Sequence, residues 1–362
     1  MFQYTNSDDY IANLGKCIAY IDDCGSYVVK SYDGECWIKY SIVEENELKK
    51  VLNFVIPGTK KKGKASGQKY QSPISLLHIP SVSRRFKHFA TVSLISNGPA
   101  VFQLYQPPTP TRSMIEIVNK PELIDHWLRL VRSQMYDNFS LMAFDTFLLD
   151  NAYKLQHSEK ASHIIVKFSE SGSTGKNYID NSMKKLYGER SIIGMDSQQA
   201  FEKHNGCMRD MLYVAVDELP TDNYNTGVAS SIVKQWTNNT RTVRAMNKDT
   251  QQMRDYSTYV INTNEPDLYG MLKRGDMALL SRLVILRFKE RRLIDSEYSA
   301  YVNVIDDDSF GYSLYMYLMS LDLSEYIKYR QFDRYDSSTV QHQLLDIISH
   351  NDPLRDFIET SD

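Results

Sequence analysis

Apolar runs in the middle of the chain predict a set of buried strands. They lie at residues 163–168, 211–216, 259–263 and 283–288. A near-continuous apolar run is typical of a strand that is covered on both faces, as in a parallel sheet. A helix-compatible segment follows the first run, at residues 178–186. The pattern therefore predicts an α/β core that is built on a parallel sheet.

The flanking sequence contains other periodicities. Residues 1–55 predict a small α/β unit, whereas residues 120–157 have the spacing of core-facing helices. Further apolar helices are predicted at Tyr312–Leu323 and Gln341–Ile348. The stiff, proline-rich connector Tyr105–Pro110 indicates a domain boundary shortly after it. We divide the chain into an N-terminal α/β accessory domain (1–112), a helical oligomerisation or collar segment (113–158), the core (159–292) and a C-terminal helical region (293–362).

A glycine-rich stretch, Phe168–Asn177, joins the first apolar run to the helix-compatible segment. A strand, a glycine-rich turn and a helix in that order are the context of a phosphate-binding loop. Main-chain N–H groups of such a turn point at one spot, and the helix dipole favours an anion there. Gly172 and Gly175 are expected to take positive φ, and Lys176 to reach the β- and γ-phosphates. The residues expected to bind the nucleotide are Gly172, Ser173, Thr174, Gly175, Lys176 and Asn177.

This loop departs from the pattern G-x-x-x-x-G-K-[ST] at two positions. Glu170 stands where the pattern has its first glycine, and Asn177 stands where it has a Ser or Thr. The hydroxyl of that Ser or Thr normally ligates Mg²⁺. The amide oxygen of Asn177 is a replacement ligand of the same atom type. Taken alone, the loop is as compatible with an ordinary Gly/Ser-rich turn as with a nucleotide site.

Polar residues at the ends of the next two apolar runs favour the nucleotide site. Asp217 and Glu218 end a run whose carboxyl end is expected to lie at the ligand-binding edge of the sheet. We expect Asp217 to hold Mg²⁺ and Glu218 to orient and deprotonate the attacking water. The third run ends at Asn264, whose amide is expected to bind the γ-phosphate or that water. The alternative is that these strands simply end in surface acids and a turn.

A basic segment lies between the second and third runs, in a chain that is acidic overall. Lys234, Arg241, Arg244 and Lys248 are spaced for a hairpin or loop that contacts a nucleic-acid backbone. A solvated connection is the alternative.

An arginine precedes the fourth run. Arg282 is our first candidate for a residue that reaches the γ-phosphate of a neighbouring subunit and stabilises the transition state. Arg274 and Arg287 are weaker candidates for that role. A structural ion pair is the alternative for each of them.

The order of these elements, within about 110 residues, resembles that of the superfamily 3 helicases, a branch of the AAA+ ATPases. The resemblance is to the helicase portion of poxvirus-type and phage-type primase-helicases. It implies an AAA+ P-loop ATPase core with a twisted parallel sheet. It also implies that Lys176 is the Walker A lysine, Asp217 and Glu218 the Walker B pair, Asn264 the motif C asparagine and Arg282 the arginine finger.

The resemblance extends outside the core. Phe102–Pro108 is similar to an aromatic-x-x-aromatic-x-Pro-Pro segment upstream of the helicase in that group, and Leu321–Ile327 is similar to its C-terminal region. Asn238–Thr240 departs from the Gly-Gly-Asp that the group often has in its DNA-contacting motif. No primase motif with paired acids is evident before residue 150. The chain therefore looks like the helicase portion without primase activity, either as a separate protein or as a fragment.

The resemblance implies a homo-hexameric, ATP-dependent DNA helicase that serves the replication of a virus, phage or mobile element. Its cofactors would be ATP and Mg²⁺. Its partners would be single-stranded DNA, with RNA less favoured, and a primase or polymerase. An RNA helicase of a positive-strand virus, a non-catalytic AAA+ scaffold or loader, and a AAA+ protein remodeller are the alternatives.

Composition adds little to this interpretation. The net charge of −3 gives no global electrostatic case for nucleic acid, so a binding surface must be local. No apolar run approaches the length of a membrane span, and the N-terminal residues have no signal-peptide pattern. None of the four cysteines forms a C-x-x-C pair, which suits reduced thiols. We therefore expect an intracellular location, in the cytoplasm of a bacterial host or at a viral replication site, with the eukaryotic nucleus left open.

Overall fold

The structure is a computed structural model, and part of the chain is described here. The described residues are 18–21, 26–29, 42–43, 87–89, 91–93, 101–103, 105, 117–196, 199–200, 206–218, 226–243, 251–264 and 281–332. The chain divides into two compact units, Met1–Gln106 and Pro107–Asp362. The finer division into four segments stays a prediction.

The first unit contains two small sheets. A four-stranded sheet has the order β3-β2-β1-β4, and a parallel pair is formed by β5 and β6. The helical segment of the predicted N-terminal α/β unit lies outside the described residues. The strands are β1 (Ile18–Ile21), β2 (Ser26–Val29), β3 (Ile42–Val43), β4 (Lys87–Phe89), β5 (Thr91–Ser93) and β6 (Val101–Gln103).

The second unit is built on a five-stranded sheet with the order β13-β7-β12-β9-β8. Every neighbouring pair in this sheet is parallel. A separate antiparallel hairpin is formed by β10 and β11. The strands are β7 (Ile164–Phe168), β8 (Ser191–Asp196), β9 (Tyr213–Asp217), β10 (Thr240–Val243), β11 (Gln251–Arg254), β12 (Thr258–Thr263) and β13 (Leu283–Arg287).

Seven α-helices have described bounds in the second unit. They are α1 (Pro121–Ser133), α2 (Asn138–His157), α3 (Lys176–Tyr187), α4 (Thr226–Gln235), α5 (Asp295–Ile305), α6 (Phe310–Ser320) and α7 (Ser324–Phe332). The predicted helix at Gln341–Ile348 lies outside the described residues. Among the helices described, none combines the length and the apolarity that a membrane crossing requires.

The core sheet has the burial that the apolar runs predict. Every residue of β7, β12 and β13 is buried, and β9 is buried up to its last residue, Asp217. Strands that are buried on both faces belong to a sheet with both sides covered, which is why their sequences lack alternation. The predicted α/β class with a parallel sheet is confirmed at this level.

The helical stretch predicted at 120–157 consists of two helices with a break between them. Pro121 begins α1 at a position where proline costs no hydrogen bond. The carboxylate of Asp137 accepts a hydrogen bond from the amide of Ser140 at 2.7 Å and thereby caps α2. Trp127 of α1 packs edge-on against aromatic rings of α2 and α6, so these helices form one buried layer.

The register of the sheet brings the ends of four strands to one edge. Phe168 of β7 pairs with Thr263 of β12 and with Arg287 of β13, and Asn262 of β12 pairs with Asp217 of β9. Because the strands are parallel, all of them end at the same edge. The segments that follow them therefore meet there, as expected for the ligand-binding edge of an open α/β sheet.

Candidate functional site

The glycine-rich loop joins β7 to α3 through left-handed backbone conformations. Gly175 has φ 94°, as predicted, and is the residue before the first turn of α3. Ser173, with φ 61°, is the second left-handed residue of the loop, whereas this conformation was expected at Gly172. A side chain at position 175 would press on the Cδ1 atom of Leu293 at 3.0 Å. Gly175 therefore meets both a conformational and a steric requirement.

The start of the loop is held by Glu290, a residue that the sequence interpretation missed. Its carboxylate accepts hydrogen bonds from the amides of Glu170 and Ser171, at 3.1 and 2.8 Å. Further along, the amide of Leu293 donates to the carbonyl oxygen of Ser173 at 3.2 Å. The segment after β13 thus binds the loop at two points. Glu170, which breaks the glycine pattern, takes part through its main chain.

Lys176 extends from α3 toward the tip of β12. Its Nζ donates to the carbonyl oxygens of Thr263 and Ser169, at 2.9 and 3.3 Å, and also contacts the amide oxygen of Asn264. Burial lowers the pKa of Lys176 to about 8, although the carboxylate of Glu218 acts in the opposite direction. The predicted phosphate-binding lysine and the predicted sensor amide therefore lie in direct contact.

The two predicted acids lie at the end of β9, and both are exposed. Oδ1 of Asp217 accepts a hydrogen bond from Nδ2 of Asn262 at 2.8 Å. Glu218 has φ 61°, and its amide donates to the carbonyl oxygen of Asn262 at 2.8 Å. Its carboxylate lies 3.5 Å from the hydroxyl of Thr263. The left-handed turn at Glu218 directs the chain away from the strand and leaves the carboxylate at the tip of β12.

The loop, the acids and the amide surround one pocket of about 630 Å³. One wall, next to the loop, comes from the β13–α5 segment and is partly apolar. Tyr298 of α5 is 54% exposed and lies near the ring of Tyr178, which stacks on Tyr301 at 3.8 Å between ring centroids. The lining residues are Gly172, Ser173, Thr174, Gly175, Lys176, Asn177, Tyr178, Asp217, Glu218, Asn262, Thr263, Asn264, Leu293, Asp295 and Tyr298.

The donor set in this pocket fits Mg²⁺ better than a transition metal. Among the described residues, no group of three or more His, Cys, Asp or Glu side chains could hold a metal ion. Mg²⁺ is usually bound by one or two carboxylates together with substrate phosphates and water. Asp217 and Asn177 both line the pocket. Gly194 of β8 leaves room beside Asp217, because a Cβ atom there would lie 3.2 Å from its Oδ2 atom.

The predicted nucleic-acid residues are not equivalent in the structure. Arg241 is buried, and its guanidinium donates to the hydroxyl of Tyr259 and to the carbonyl oxygen of Met208. It therefore faces the core beneath β10. Lys234 is half-buried at the end of α4. Arg244 and Lys248 lie outside the described residues.

Arg282 lies at the edge of the sheet opposite to the pocket. Its carbonyl oxygen accepts a hydrogen bond from the amide of Ile164, at the start of β7. The five residues of β7 place this edge about 15 Å from the loop. Arg287, at the other end of β13, is buried with its guanidinium 3.9 Å from the ring centroid of Tyr136. Arg274 lies outside the described residues.

Sequence comparison gives a family without an assigned activity. The profile of a family of unknown function (DUF5906) matches residues 168–277, which span the loop, both acids and Asn264. No curated protein matches the chain at a significant level. The matched stretch begins at the last residue of β7.

Solved structures share the fold. The apo structure of the NrS-1 C-terminal region (305–718) is similar with a TM-score of 0.57 and 14% identity, over 91% of this chain and 71% of that one. The A form apo structure of the same region has a TM-score of 0.54 and 13% identity, over 93% of this chain and 72% of that one. At such low identity the similarity concerns the fold, which extends over most of the chain.

Proposed function

We propose that this chain is an ATP-hydrolysing DNA helicase of the AAA+ class that serves the replication of a virus, phage or mobile element. The observation that carries the proposal is the single pocket in which Lys176, Asp217, Glu218 and Asn264 meet. These side chains come from the first turn of α3 and from the ends of β9 and β12, which are far apart in sequence. The similarity of fold to the NrS-1 C-terminal region is compatible with the proposal and is not its basis.

Each side chain has a role that follows from its position. Lys176, at the first turn of α3, would bind the β- and γ-phosphates together with the loop amides. Asp217 and Asn177 would hold Mg²⁺, which when bound neutralises charge on the phosphates. Glu218 would accept a proton from the attacking water. Asn264 would orient that water, because its amide lies against Lys176.

The nucleoside would lie against the apolar wall of the pocket. Leu293 and Tyr298 line the pocket beside the loop, and Cδ1 of Leu293 lies against Gly175. An aromatic ring next to a phosphate site can stack on a base of any identity, because every base has a π face. A preference for ATP over other nucleotides would then depend on few polar contacts, such as one from Asp295.

A ring assembly would complete the site. Arg282 lies at the opposite edge of the sheet and cannot reach the pocket of its own chain, so an arginine-finger role requires a neighbouring subunit. Single-stranded DNA would be bound mostly through phosphates, and Lys234 is the described basic residue that remains a candidate for it. Arg241 has no part in this proposal because it faces the core.

The test is ATP hydrolysis with and without single-stranded DNA, by the parent chain and by Lys176→Ala and Glu218→Gln. Turnover that DNA stimulates and that both substitutions abolish supports the motor. Duplex unwinding is then measured on DNA and on RNA, which separates the DNA helicase from the RNA helicase. Mixing Arg282→Ala subunits with Lys176→Ala subunits tests the ring, since shared sites should recover part of the activity.

A non-catalytic scaffold is the second candidate, and Asn177 is the observation that favours it. The loop lacks the hydroxyl that normally ligates Mg²⁺. A parent chain that binds ATP but does not hydrolyse it, with or without DNA, would favour the scaffold. Turnover that a protein substrate stimulates, and DNA does not, would favour a remodeller.

A further inference from the structure

A buried amide lies directly beneath the two acids of the pocket. Asn262 is the fifth residue of β12, is 6% exposed and lines the pocket. Its Nδ2 donates to Oδ1 of Asp217 at 2.8 Å and to Oδ2 of Asp180 at 3.0 Å. Asp180 belongs to α3, so this one amide connects the helix after the loop to the acid at the end of β9.

The orientation of the amide follows from its two partners. Both are carboxylates, which accept hydrogen bonds, and only the NH₂ group of asparagine can donate to both of them. Its Oδ1 atom is therefore directed away from the carboxylates. That atom is buried and has no hydrogen-bond partner among the described residues. A buried acceptor without a donor is costly, and a water molecule beside the pocket would satisfy it.

The second partner of the amide is fixed by a buried ion pair. Lys167 of β7 lies 2.6 Å from Asp180, and neither side chain is exposed. The same Lys167 donates to the carbonyl oxygen of Lys176 at 2.9 Å, and the hydroxyl of Tyr213 donates to Asp180 at 2.6 Å. The contacts Lys176–Lys167–Asp180–Asn262–Asp217 therefore form a continuous chain, buried as far as Asn262, from the loop helix to the acid. We call these contacts the sub-loop chain.

The phosphate-binding loop has no hydroxyl directly after Lys176, the position where the loop pattern provides a magnesium ligand. In the loop pattern the residue after the lysine is Ser or Thr, whose hydroxyl lies at the metal. Here Asn177 is exposed, and the hydroxyl of the preceding Thr174 is hydrogen-bonded to Ser169 at 2.9 Å, within the loop. The hydrogen bond to Asp217 comes instead from Asn262 of β12.

We propose that Asn262 is a positioning residue for Mg²⁺: it holds Asp217 through Nδ2, leaves Oδ1 to accept a hydrogen bond from water at the metal site, and thereby supports a site in which Asn177 stands in place of the loop hydroxyl. The inference rests on the proposed function, because it concerns the metal that accompanies the nucleotide. The sub-loop chain fixes Asn262 and Asp217 relative to Lys176, so the residues that would hold the metal and the phosphates are positioned together.

The experiment measures how much Mg²⁺ tightens nucleotide binding. The dissociation constant of a fluorescent, non-hydrolysable ATP analogue is determined with saturating Mg²⁺ and with EDTA, and the ratio is the Mg²⁺ gain. We expect Asn262→Ala to reduce this gain about tenfold to a hundredfold, as for other residues that orient metal ligands. The affinity in EDTA should stay unchanged, because Lys176 and the loop are intact.

A matched control separates positioning from folding. Asn151 of α2 is also a buried amide; it donates to the carbonyl oxygen of Phe147 at 2.8 Å and does not line the pocket. Asn151→Ala should lower stability and leave the Mg²⁺ gain as in the parent. Asn262→Thr keeps one donor and a residue suited to a strand, so it serves if Asn262→Ala fails to fold, and its gain should be intermediate.

A compensating change gives the sharpest result. If Asn262 compensates for the hydroxyl that Asn177 does not supply, then Asn177→Thr added to Asn262→Ala should recover part of the Mg²⁺ gain. The inference is overturned if both Asn262 variants keep an Mg²⁺ gain as large as that of the parent, or if Asn151→Ala loses as much of the Mg²⁺ gain as Asn262→Ala does. Either result leaves the proposed function intact. A parent chain that binds no nucleotide overturns both.

Discussion

Nζ of Lys176 donates to the main-chain carbonyl oxygen of Thr263 at 2.9 Å, which joins the phosphate-binding loop to the tip of β12. A phosphate that Lys176 binds is therefore within reach of Asn264, the next residue. Lys176→Met should weaken ATP binding at least tenfold, because it removes the cation that faces the β- and γ-phosphates. The measurement is the rise in melting temperature that ATP produces.

Lys184 provides the control for this change. It lies on the exposed side of α3, away from the pocket. Lys184→Met should leave the ATP-dependent rise in melting temperature unaltered. An equal effect of both substitutions would mean that the effect is one of net charge.

Glu218 is expected to act in hydrolysis and not in binding. Glu218→Gln keeps the size of the side chain and removes the base, so turnover should fall by about 10²–10⁴-fold with ATP affinity retained. Single-turnover hydrolysis and equilibrium binding of ATP measure the two properties separately. A loss of affinity that matches the loss of turnover would assign Glu218 to the metal instead.

Tyr298 is expected to contribute to affinity through its ring. Tyr298→Ala should raise the dissociation constant of ATP by about tenfold, since stacking of a base on an aromatic ring is worth about 1–3 kcal/mol. Tyr298→Phe keeps the ring and should bind as the parent does. The dissociation constants of ATP and of inorganic triphosphate are compared, because only ATP carries a base. An equal change for both ligands would argue against stacking.

A buried ion pair away from the pocket predicts a pH dependence of stability. Lys160 lies 2.6 Å from Asp255, and burial lowers the pKa of Lys160 from 10.5 to about 8. Between about pH 8 and pH 10.5 the amine of Lys160 is protonated in the unfolded chain but not in the folded chain. The contribution of Lys160 to the free energy of unfolding therefore rises with pH in this range. At pH 7 Lys160→Met should destabilise the fold by about 3–5 kcal/mol, because it leaves a buried carboxylate without this partner.

Urea unfolding of the parent and of Lys160→Met at pH 7, 8, 9 and 10 tests the dependence. The difference in free energy of unfolding should change in favour of the parent as pH rises from 8 to 10. A difference that does not vary with pH would show that Lys160 keeps an ordinary pKa in the folded chain.

Arg241 is expected to matter for stability and not for DNA. Its guanidinium is buried against Tyr259. Burial acts to lower the pKa of Arg241, but the hydroxyl of Tyr259 and the carboxylate of Asp255 outweigh it, so that the pKa is raised. Arg241→Met should lower the free energy of unfolding by about 3 kcal/mol. Binding of single-stranded DNA by the folded variant should equal that of the parent, as measured by fluorescence anisotropy. A selective loss of DNA binding would restore the role first predicted from the sequence.

The sequence alone predicted the sheet better than the contacts within the site. The buried strands β7, β9, β12 and β13 follow from their apolar runs, and the position of Asp217 follows from where its run ends. Strand β8 lacks such a signal: residues 191–196 include Gly194, and the pairing with β9 is irregular there. The sequence of β8 has no periodicity that predicts a strand, so β8 is recognised only in the structure, by its pairing with β9.

The contacts that organise the site cannot be predicted from the local sequence pattern. Glu290 binds the loop from 120 residues away, and Asn262 contacts Asp180 across 82 residues. Nothing within either local sequence distinguishes these residues from an exposed acid or a polar residue at a strand end. Arg241 shows the same limit, since spacing suggested a surface hairpin while the fold turns its side chain inward.

The position of β7 inside the sheet, between β13 and β12, has a consequence for how the protein is made. Its two neighbours, β12 and β13, are synthesised long after it, and Thr263, which accepts a hydrogen bond from Lys176, lies 87 residues further along the chain. Contacts of such long sequence separation slow folding, since a large loop must close before they form. A ribosome-bound chain that ends before residue 283 should therefore expose the edge of β7 that pairs with β13, and nucleotide cannot assist folding until most of the chain has emerged.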